Sequence, residues 1–525
     1  MTPADTGRPE RPQTTLAELS EDERYERFDR LQATMPEVWE GMRRNLPDES
    51  IVVVPSIDLS SGSLMQAYEE RLLLLLLLLR QPRLRMIYVT STPIAPDIVE
   101  YYLALLPGVI PSHARSRLTL VSADDSSPRP LSLKLLDRPR LLQRIAALVP
   151  NRSRSHLVPY TTTSLERDLA ISLGIPMYGA DPRLFDLGTK TGCRRLFAEE
   201  GVAHPLGVED LQTMDEVAEA IATMRRTRPT MSEVIVKHND GVSGRGNALV
   251  DLRGLPEPGD SREREAITEQ LRAMQFEDAD VRFDDYAAKL TRGGGIVEER
   301  IIGTELRSPS VQLRVTPDGQ VELLSTHDQL LGGPSGQSYL GCVFPADRDY
   351  SRLISDQAAT LGSRLAREGV LGRFAVDFVV VKSASGEWSA YAIELNLRKG
   401  GTTHPFLTLQ FLTDGRYDPD SGRFLTPDGH EKHLIATDHL ESVDLRALSR
   451  GDLFDLIARE GLHFDQARQR GIVFHMISCL SEHGRVGLTA VGDTPEQAED
   501  AYRRAEHMLR DEARAALEDL RLVER

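Results

Sequence analysis

The sequence predicts an α/β protein of several domains, and three observations predict it. Short apolar runs alternate with helical patterns from residue 46 to about 185, as in an open α/β layer. The following block, to about 415, alternates with period two, the signature of half-covered strands. A chain of 525 residues is too long for one ordinary core.

Taken in order, residues 1–45 are rich in Pro, Glu, Asp and Arg and read as a loose N-terminal segment. The first domain, 46–185, offers strands at 51–55 (IVVVP), 86–90 (MIYVT) and 118–122 (LTLVS). Between the first two runs Leu72 to Leu79, eight leucines. As an α-helix they span about 12 Å against a bilayer core of about 30 Å, so they read as a buried helix and not a membrane span. "SLERDLAISLGIPMYGADP" then reads as a helix ended by Gly174.

The second domain, 186–415, opens with "LFDLGTKTGCRRLFAEEGVAHP", a helix closed by Gly201. "SEVIVKHNDGVSGRGNALVDL" reads as strand, glycine-rich loop and strand, and "GIVEERIIGTELRSPSVQLRV" as two strands. The stretch 325–345, rich in Gly and Ser, suits either a surface loop or a flexible lid. A helix at 352–368 and strands at 373–381 and 388–398 follow. Residues 414–430 read as an exposed hairpin or linker. A last domain, 430–525, has strands at 471–480 and 485–491 and a charged helix from Pro495.

Composition narrows the function. A net charge of −17 argues against a general binder of nucleic acid or anionic membranes. Cys193, Cys342 and Cys479 lie far apart and form neither a disulfide framework nor a zinc motif, which fits a reducing cytoplasm. Only seven of the 63 basic residues are lysines, so each position where an ammonium replaces a guanidinium is informative.

The chemistry concentrates in "YAIELNLRKGGTTHPF", residues 391–406. Glu394, Asn396 and Arg398 recur at every second position between Ile393, Leu395 and Leu397, which in a strand sends all three polar groups out by one face. Asp377 in "GRFAVDFVVV" is a second acid set in an apolar run. A buried carboxylate needs a partner, and a hard cation such as Mg2+, with Mn2+ as the alternative ion, suits two carboxylates and an amide oxygen. Solvent-facing residues of ordinary half-buried strands would give the same pattern. Upstream, Lys237 ends a strand, and Gly241, Ser243, Gly244 and Gly246 form a turn whose amides could close over phosphates or merely make a hairpin. Arg307 and Arg373 stand near strand ends, either solvated or gripping a substrate carboxylate. His404 is either a satisfied loop histidine or a group that handles substrate.

In this order the features resemble the ATP-grasp superfamily over roughly residues 170–410: Lys190, Lys237 with its loop, the acidic hinge "VEERIIGTE", Asp377, and Glu394 with Asn396. The resemblance implies an ATP-grasp fold, a Rossmann-like domain before it and a small α/β domain after it. It implies that Lys190 and Lys237 contact ATP phosphates, that Glu298, Glu299, Arg300 and Ile301 line the adenine, and that Glu305 takes the ribose. Asp377, Glu394 and Asn396 would hold Mg2+, and Arg398 a phosphate. Within the superfamily "IELNLRKGGTTHPF" looks most like the pheganomycin-type peptide ligases. It is also similar to a biotin carboxylase motif, but Leu397 replaces a proline, Thr402 and Thr403 replace Val and Glu, and no biotin-attachment sequence is present.

The expected function is an ATP-dependent carboxylate–amine ligase that forms an amide through an acylphosphate and releases ADP and phosphate. Its partners would be a small-molecule or peptide carboxylate and an amine, with no nucleic acid or membrane, and homodimer formation is left open. A phosphotransferase on the same scaffold and a catalytically silent nucleotide binder are the rival readings.

Overall fold

In the computed structural model the described residues are 16–57, 64–241, 246–278, 280–333 and 336–523, with side chains through 518. Three layers of sheet position the site. The first is a parallel sheet in the order Leu118–Ser122, Arg85–Thr90, Ser50–Val54, Ser155–Pro159. Three of its strands are the apolar runs read from the sequence and the fourth, Ser155–Pro159, is not, and Val52, Val53, Met86, Tyr88 and Leu157 are fully buried because helices cover both faces.

The loose N-terminal segment expected over 1–45 is not what forms there. Residues 1–15 lie outside the described residues, but Glu21–Gln32 and Met35–Arg43 are helices. The first begins with a capping box between Ser20 and Glu23, and it buries Phe28 against the first sheet. Polar composition concealed an amphipathic helix whose arginines serve as tethers: Arg24 bonds Asp168 at 2.7 Å. The leucine run also differs from expectation. Met65–Arg71 is α-helical, but Leu72–Arg80 winds as a 3-10 helix with seven of its eight leucines buried. Packing on every side, and not helix propensity, holds so long a 3-10 stretch. No helix among the described residues is long and apolar enough to cross a membrane.

The second layer is an antiparallel sheet of five strands in the order Gly207–Leu211, Gly295–Glu299, Glu233–His238, Asn247–Asp251, Gln275–Phe276. The third is a nine-stranded sheet. It runs Glu305–Arg307, Gly372–Lys382, Pro309–Val315, Val321–Gly332, Ser338–Phe344, His433–Glu441, Arg485–Gly492, Gly471–His475, with Trp388–Asn396 also paired to Gly372–Lys382. The stretch 325–345, left open between loop and lid, falls within two paired strands of this sheet, Asp328 opposite Val343. Gly333 and Gly336 sit at the turn between them, with φ of +82° and +73°. The exposed hairpin expected at 414–430 is present as Arg416–Asp418 and Arg423–Leu425. The C-terminal strands extend the large sheet, and the helix Pro495–Val523 packs on it through Ala498, Ala505, Leu509 and Ala513.

Two buried polar contacts are among those that fasten the first layer to the rest. Arg71 donates to Asp438 at 2.5 Å and to the Tyr160 hydroxyl at 2.6 Å, all deep in a core shared by the N-terminal and C-terminal parts. Lys399, just past the last strand of the acidic motif, donates to the Pro159 carbonyl at 2.5 Å. Burial, then the nearby Arg373 charge, pushes the Lys399 ammonium down to about 7.

The strict alternation read over 393–398 is interrupted. Asp377 lies opposite Glu394 and Phe378 opposite Ala392, so Ile393 is the extra residue of a β-bulge. Leu395 points into the core and is fully buried. Leu395→Ala is therefore expected to cost about 2–5 kcal/mol in urea denaturation and Ile393→Ala clearly less. Equal losses would move the bulge. For Lys399, the unfolded chain holds a proton between pH about 7 and about 10 that the folded chain lacks, so this group's contribution to stability rises with pH across that window. Lys399→Met should flatten that rise in a melting-temperature series from pH 6.5 to 10, a range set by those two pKa values.

Candidate active site

The site forms where the large sheet faces the helix Lys190–Glu199 and the five-stranded sheet. Strand register sets Asp377 beside Glu394, with Asn396 opposite Ala375 one step along. The Asp377 carboxylate accepts from Asn396 Nδ2 at 3.0 Å and from Gln329 Nε2 at 2.9 Å. Burial, followed by repulsion from Glu394, pushes Asp377 up to about 6. Burial pushes Glu394 the same way, but Lys190, Lys237 and Arg398 outweigh it and hold Glu394 below the ordinary carboxylate range. Two neighbouring acids thus divide the labour, one ionised and one prone to keep a proton.

Lys190 is the first residue of its helix, and its ammonium pairs with Glu394. Burial disfavours that charge, yet Glu394 more than compensates and the lysine stays above its usual range. The helix start is fixed from both sides. Thr189 accepts from the Gly192 amide at 3.0 Å, and Asn239 accepts from the Thr191 amide at 3.1 Å. Asn239 follows the strand that carries Lys237, so one side chain ties the two lysine segments together.

Lys237 pairs with Glu298 on the adjacent strand. Glu298 also receives Arg194 at 3.1 Å, and Arg194 reaches Glu209 at 2.6 Å. Lys237, Glu298 and Arg194 are all under 5% exposed, so these charges are held by one another. Arg398 lies just past the strand, bonded to the Lys399 carbonyl at 3.0 Å, and its charge acts on both Asp377 and Glu394.

The structure therefore gathers Lys190, Lys237, Glu298, Asp377, Glu394, Asn396 and Arg398. It treats the other expected residues differently. Glu299 pairs with Arg228, and Arg300 bonds Glu233 at 2.7 Å, so both hinge side chains are engaged in ion pairs of their own, and the Glu299 and Arg300 amides donate to the Leu206 and Glu233 carbonyls. Glu305 pairs across strands with Lys382 at 3.5 Å and with Arg307 at 3.3 Å, and Arg307 is an exposed strand residue. Arg373 is half-buried beside Arg314, opposite in register, with one buried guanidinium nitrogen lacking a protein partner. Burial, then Arg314, pushes it down to about 10. Gly241 and Gly246 flank the glycine-rich turn, while Ser243 and Gly244 lie outside the described residues. His404 is not at the acidic row. Its polar contacts are His475 at 3.0 Å and Asp438 at 3.3 Å.

Sequence reasoning missed Arg194, Asn239 and Gln329. Arg194 stands one helical turn after Lys190, a spacing that could have flagged it. Gln329 was hidden in the supposed loop.

The donor set fits a hard divalent ion. Asp377 and Glu394 present two carboxylates, and Asn396, whose nitrogen donates to Asp377, keeps its amide oxygen as a further hard ligand. The raised Asp377 expresses an unmet demand for positive charge at that spot.

A family model described as IQCH-like, ATP-grasp matches residues 183–281 and 267–420, and one described as PGM1 C-terminal domain matches 452–505. The L-propargylglycine--L-glutamate ligase of Streptantibioticus cattleyicolor is 29% identical over 440 residues, covering 82% of this chain and 86% of that one. IQ motif-containing protein H of Danio rerio is 24% identical over 75% of this chain, which spans 42% of that protein. Among solved structures, an ADP complex of N5-carboxyaminoimidazole ribonucleotide synthetase superposes with a TM-score of 0.51 at 12% identity, over 89% of this chain and 98% of that one. The biotin carboxylase domain of the Hydrogenobacter thermophilus 2-oxoglutarate carboxylase, solved with MgADP and bicarbonate, gives 0.53 at 14%, over 87% and 89%. With this fold, this row of residues and this kinship, the chain is an enzyme of ATP-grasp fold, similar to the L-propargylglycine--L-glutamate ligase.

Proposed function

We propose that the protein is an ATP-dependent carboxylate–amine ligase. A substrate carboxylate attacks the γ-phosphoryl group of ATP, giving an acylphosphate and ADP. An amine then attacks the acyl carbon, and phosphate leaves as the amide forms. The observation that carries this reading is the facing pair Asp377 and Glu394, flanked by Lys190, Lys237 and Arg398.

Each residue has a distinct task in this proposal. Asp377, Glu394 and the Asn396 oxygen would hold Mg2+, or Mn2+ in its place, and the ion neutralises phosphate charge when bound. Lys190 and Lys237, now paired with Glu394 and Glu298, would turn toward phosphate oxygens as ATP enters. Glu298 and Arg194 hold Lys237 in place beforehand, so little ordering is left for the moment of binding. The hinge backbone from Glu298 to Ile301 would take the adenine and Glu305 the ribose, the side chains of Glu299 and Arg300 being engaged elsewhere. Arg398 would meet the transferring phosphoryl group, where charge spreads as the bond to ADP breaks. Arg373, half-buried with one buried nitrogen lacking a protein partner, is a better candidate than the exposed Arg307 for a substrate carboxylate.

The name of the Streptantibioticus relative joins two amino acids, which supports amino acids or short peptides as both the acid and the amine. The three buried free cysteines support work in the cytoplasm. A screen of ATP consumption over paired amino acids and peptides, with mass detection of the amide, tests the proposal. ADP released only when acid and amine are both present is the expected result; phosphate transfer to a hydroxyl would overturn it.

Two variants sharpen the test. Glu394→Gln keeps shape but removes a charge, and per folded molecule it should lower turnover at least about 100-fold, the scale of one strong electrostatic contact. Activity within a few-fold of the parent would remove Glu394 from the chemistry. Addition of ATP with Mg2+ should raise the melting temperature more than ATP with chelator. Lys237→Met should reduce both shifts, and Lys237→Arg should restore them only in part, since a planar fork does not replace a compact ammonium.

A further inference from the structure

A second cluster lies apart from the acidic row. His404 comes from the helix Thr403–Thr413, Asp438 from the strand His433–Glu441, and His475 from the strand Gly471–His475. All three are buried. His404 Nε2 and His475 Nε2 are 3.0 Å apart, and both face Asp438 Oδ1, at 3.3 Å and 2.8 Å. Among the described residues this is the one trio of His, Cys, Asp and Glu side chains whose ligand atoms converge in this way.

Hydrogen bonding alone does not resolve this triangle. If His475 gives its Nε2 proton to Asp438, the His404 Nε2 lone pair faces a carboxylate oxygen and a nitrogen whose proton is already directed elsewhere. If both rings carry Nε2 protons, two N–H groups oppose each other at 3.0 Å. If only His404 does, the His475 Nε2 lone pair faces the Asp438 oxygen at 2.8 Å, and if neither does, three lone pairs converge with no proton among them. A cation at the centre satisfies all three lone pairs at once. Ligands at about 2.0–2.1 Å from a tetrahedral metal lie about 3.3–3.4 Å from one another, close to the spacings found here.

The surroundings are shaped for the arrangement. Gly487 lies opposite His475, and a Cβ there would fall 2.1 Å from His475 Nε2, so only glycine lets the imidazole lie over the strand. Asp438 Oδ2 is held by Arg71 at 2.5 Å, and Arg485 donates to the Asp438 backbone carbonyl at 2.5 Å, which together fix the carboxylate so that Oδ1 faces the two rings. The Arg71 charge opposes a cation, but it sits on the far oxygen and the ligand set is neutral imidazole with one carboxylate.

We propose that His404, Asp438 and His475 bind a transition-metal ion of the zinc class, with a small fourth ligand such as water. Two imidazoles and a carboxylate are the ligand chemistry that Zn2+ takes, and they are too nitrogen-rich for Mg2+. The ion clamps the helix that follows the acidic row to the C-terminal strands, so that the C-terminal part and the catalytic row are fastened by one structural ion. This site is independent of the proposed ligase reaction.

The test uses the full chain with any affinity tag removed, purified from zinc-replete medium and dialysed against a weak chelator, then assayed by inductively coupled plasma mass spectrometry. About one zinc per chain is expected, together with a rise in melting temperature when Zn2+ is returned to protein stripped by a strong chelator. Replacement by Co2+ should give the intense visible bands of a tetrahedral site. His475→Asn should lose both the metal and the Zn2+-induced shift. A parent protein that retains no zinc and shows no shift on its addition would overturn the site, as would equal zinc in His475→Asn. Because the parent measurement stands alone, poor folding of the variant does not shelter the proposal.

Discussion

Two carboxylates placed side by side on a half-buried pair of strands set the conditions for everything around them. Asp377 and Glu394 face each other across paired strands, and neither could be tolerated there without positive charge close by. Lys190 meets Glu394 directly. Behind it stand Lys237, Glu298, Arg194 and Glu209, alternating in sign, so that every charge in the chain has an opposite neighbour. Such a network adds little net stability, because desolvation offsets much of the attraction, but it fixes directions. The bulge at Ile393 belongs to the same constraint. It re-aims the strand so that Glu394 joins the acidic face while Leu395 still enters the core.

Positions this exact need rigid supports, and those come from distant parts of the chain. The first sheet is tied to the end of the acidic motif by Lys399 and the Pro159 carbonyl, and to the C-terminal strands by Arg71 and Asp438. One apolar core runs from the leucine stretch to the C-terminal helix. The C-terminal part is thereby a wall of the catalytic body and not an appendage on a linker. The helix Lys190–Glu199 is held the same way, by Asn239 from the lysine-bearing strand.

Much of this was legible beforehand. Period-two patterning located the strands of Asp377 and Glu394, and the order of two lysines, an acidic hinge and an acid–amide motif pointed to the fold. The misreadings have physical causes. The helix Glu21–Gln32 was taken for a loose segment because its polar residues are spent on capping and ion pairs. The residues 325–345 were left as loop or lid because Gly and Ser at a hairpin turn resemble a loop, while the β pairing that absorbs the flanks is made with distant strands. Along the hinge, Arg228 and Glu233 draw the Glu299 and Arg300 side chains into ion pairs that no local pattern signals.

The sequence by itself determined which residues alternate between faces, which runs are apolar enough to be buried, where glycine ends a helix, and which few lysines carry compact charge. These are local properties, set by backbone geometry and the distribution of side chains along a short stretch. Only the tertiary structure decided which charges share a neighbourhood. Lys190 and Glu394 are separated by some two hundred residues, as are Arg71 and Asp438 by a still longer stretch, and they meet because sheet order and packing bring them together. The same holds for His404, whose place in the sequence suggested the acidic motif. Its burial between the helix after that motif and two C-terminal strands gives it His475 and Asp438 as partners, because a side chain's chemistry follows from what packing puts beside it.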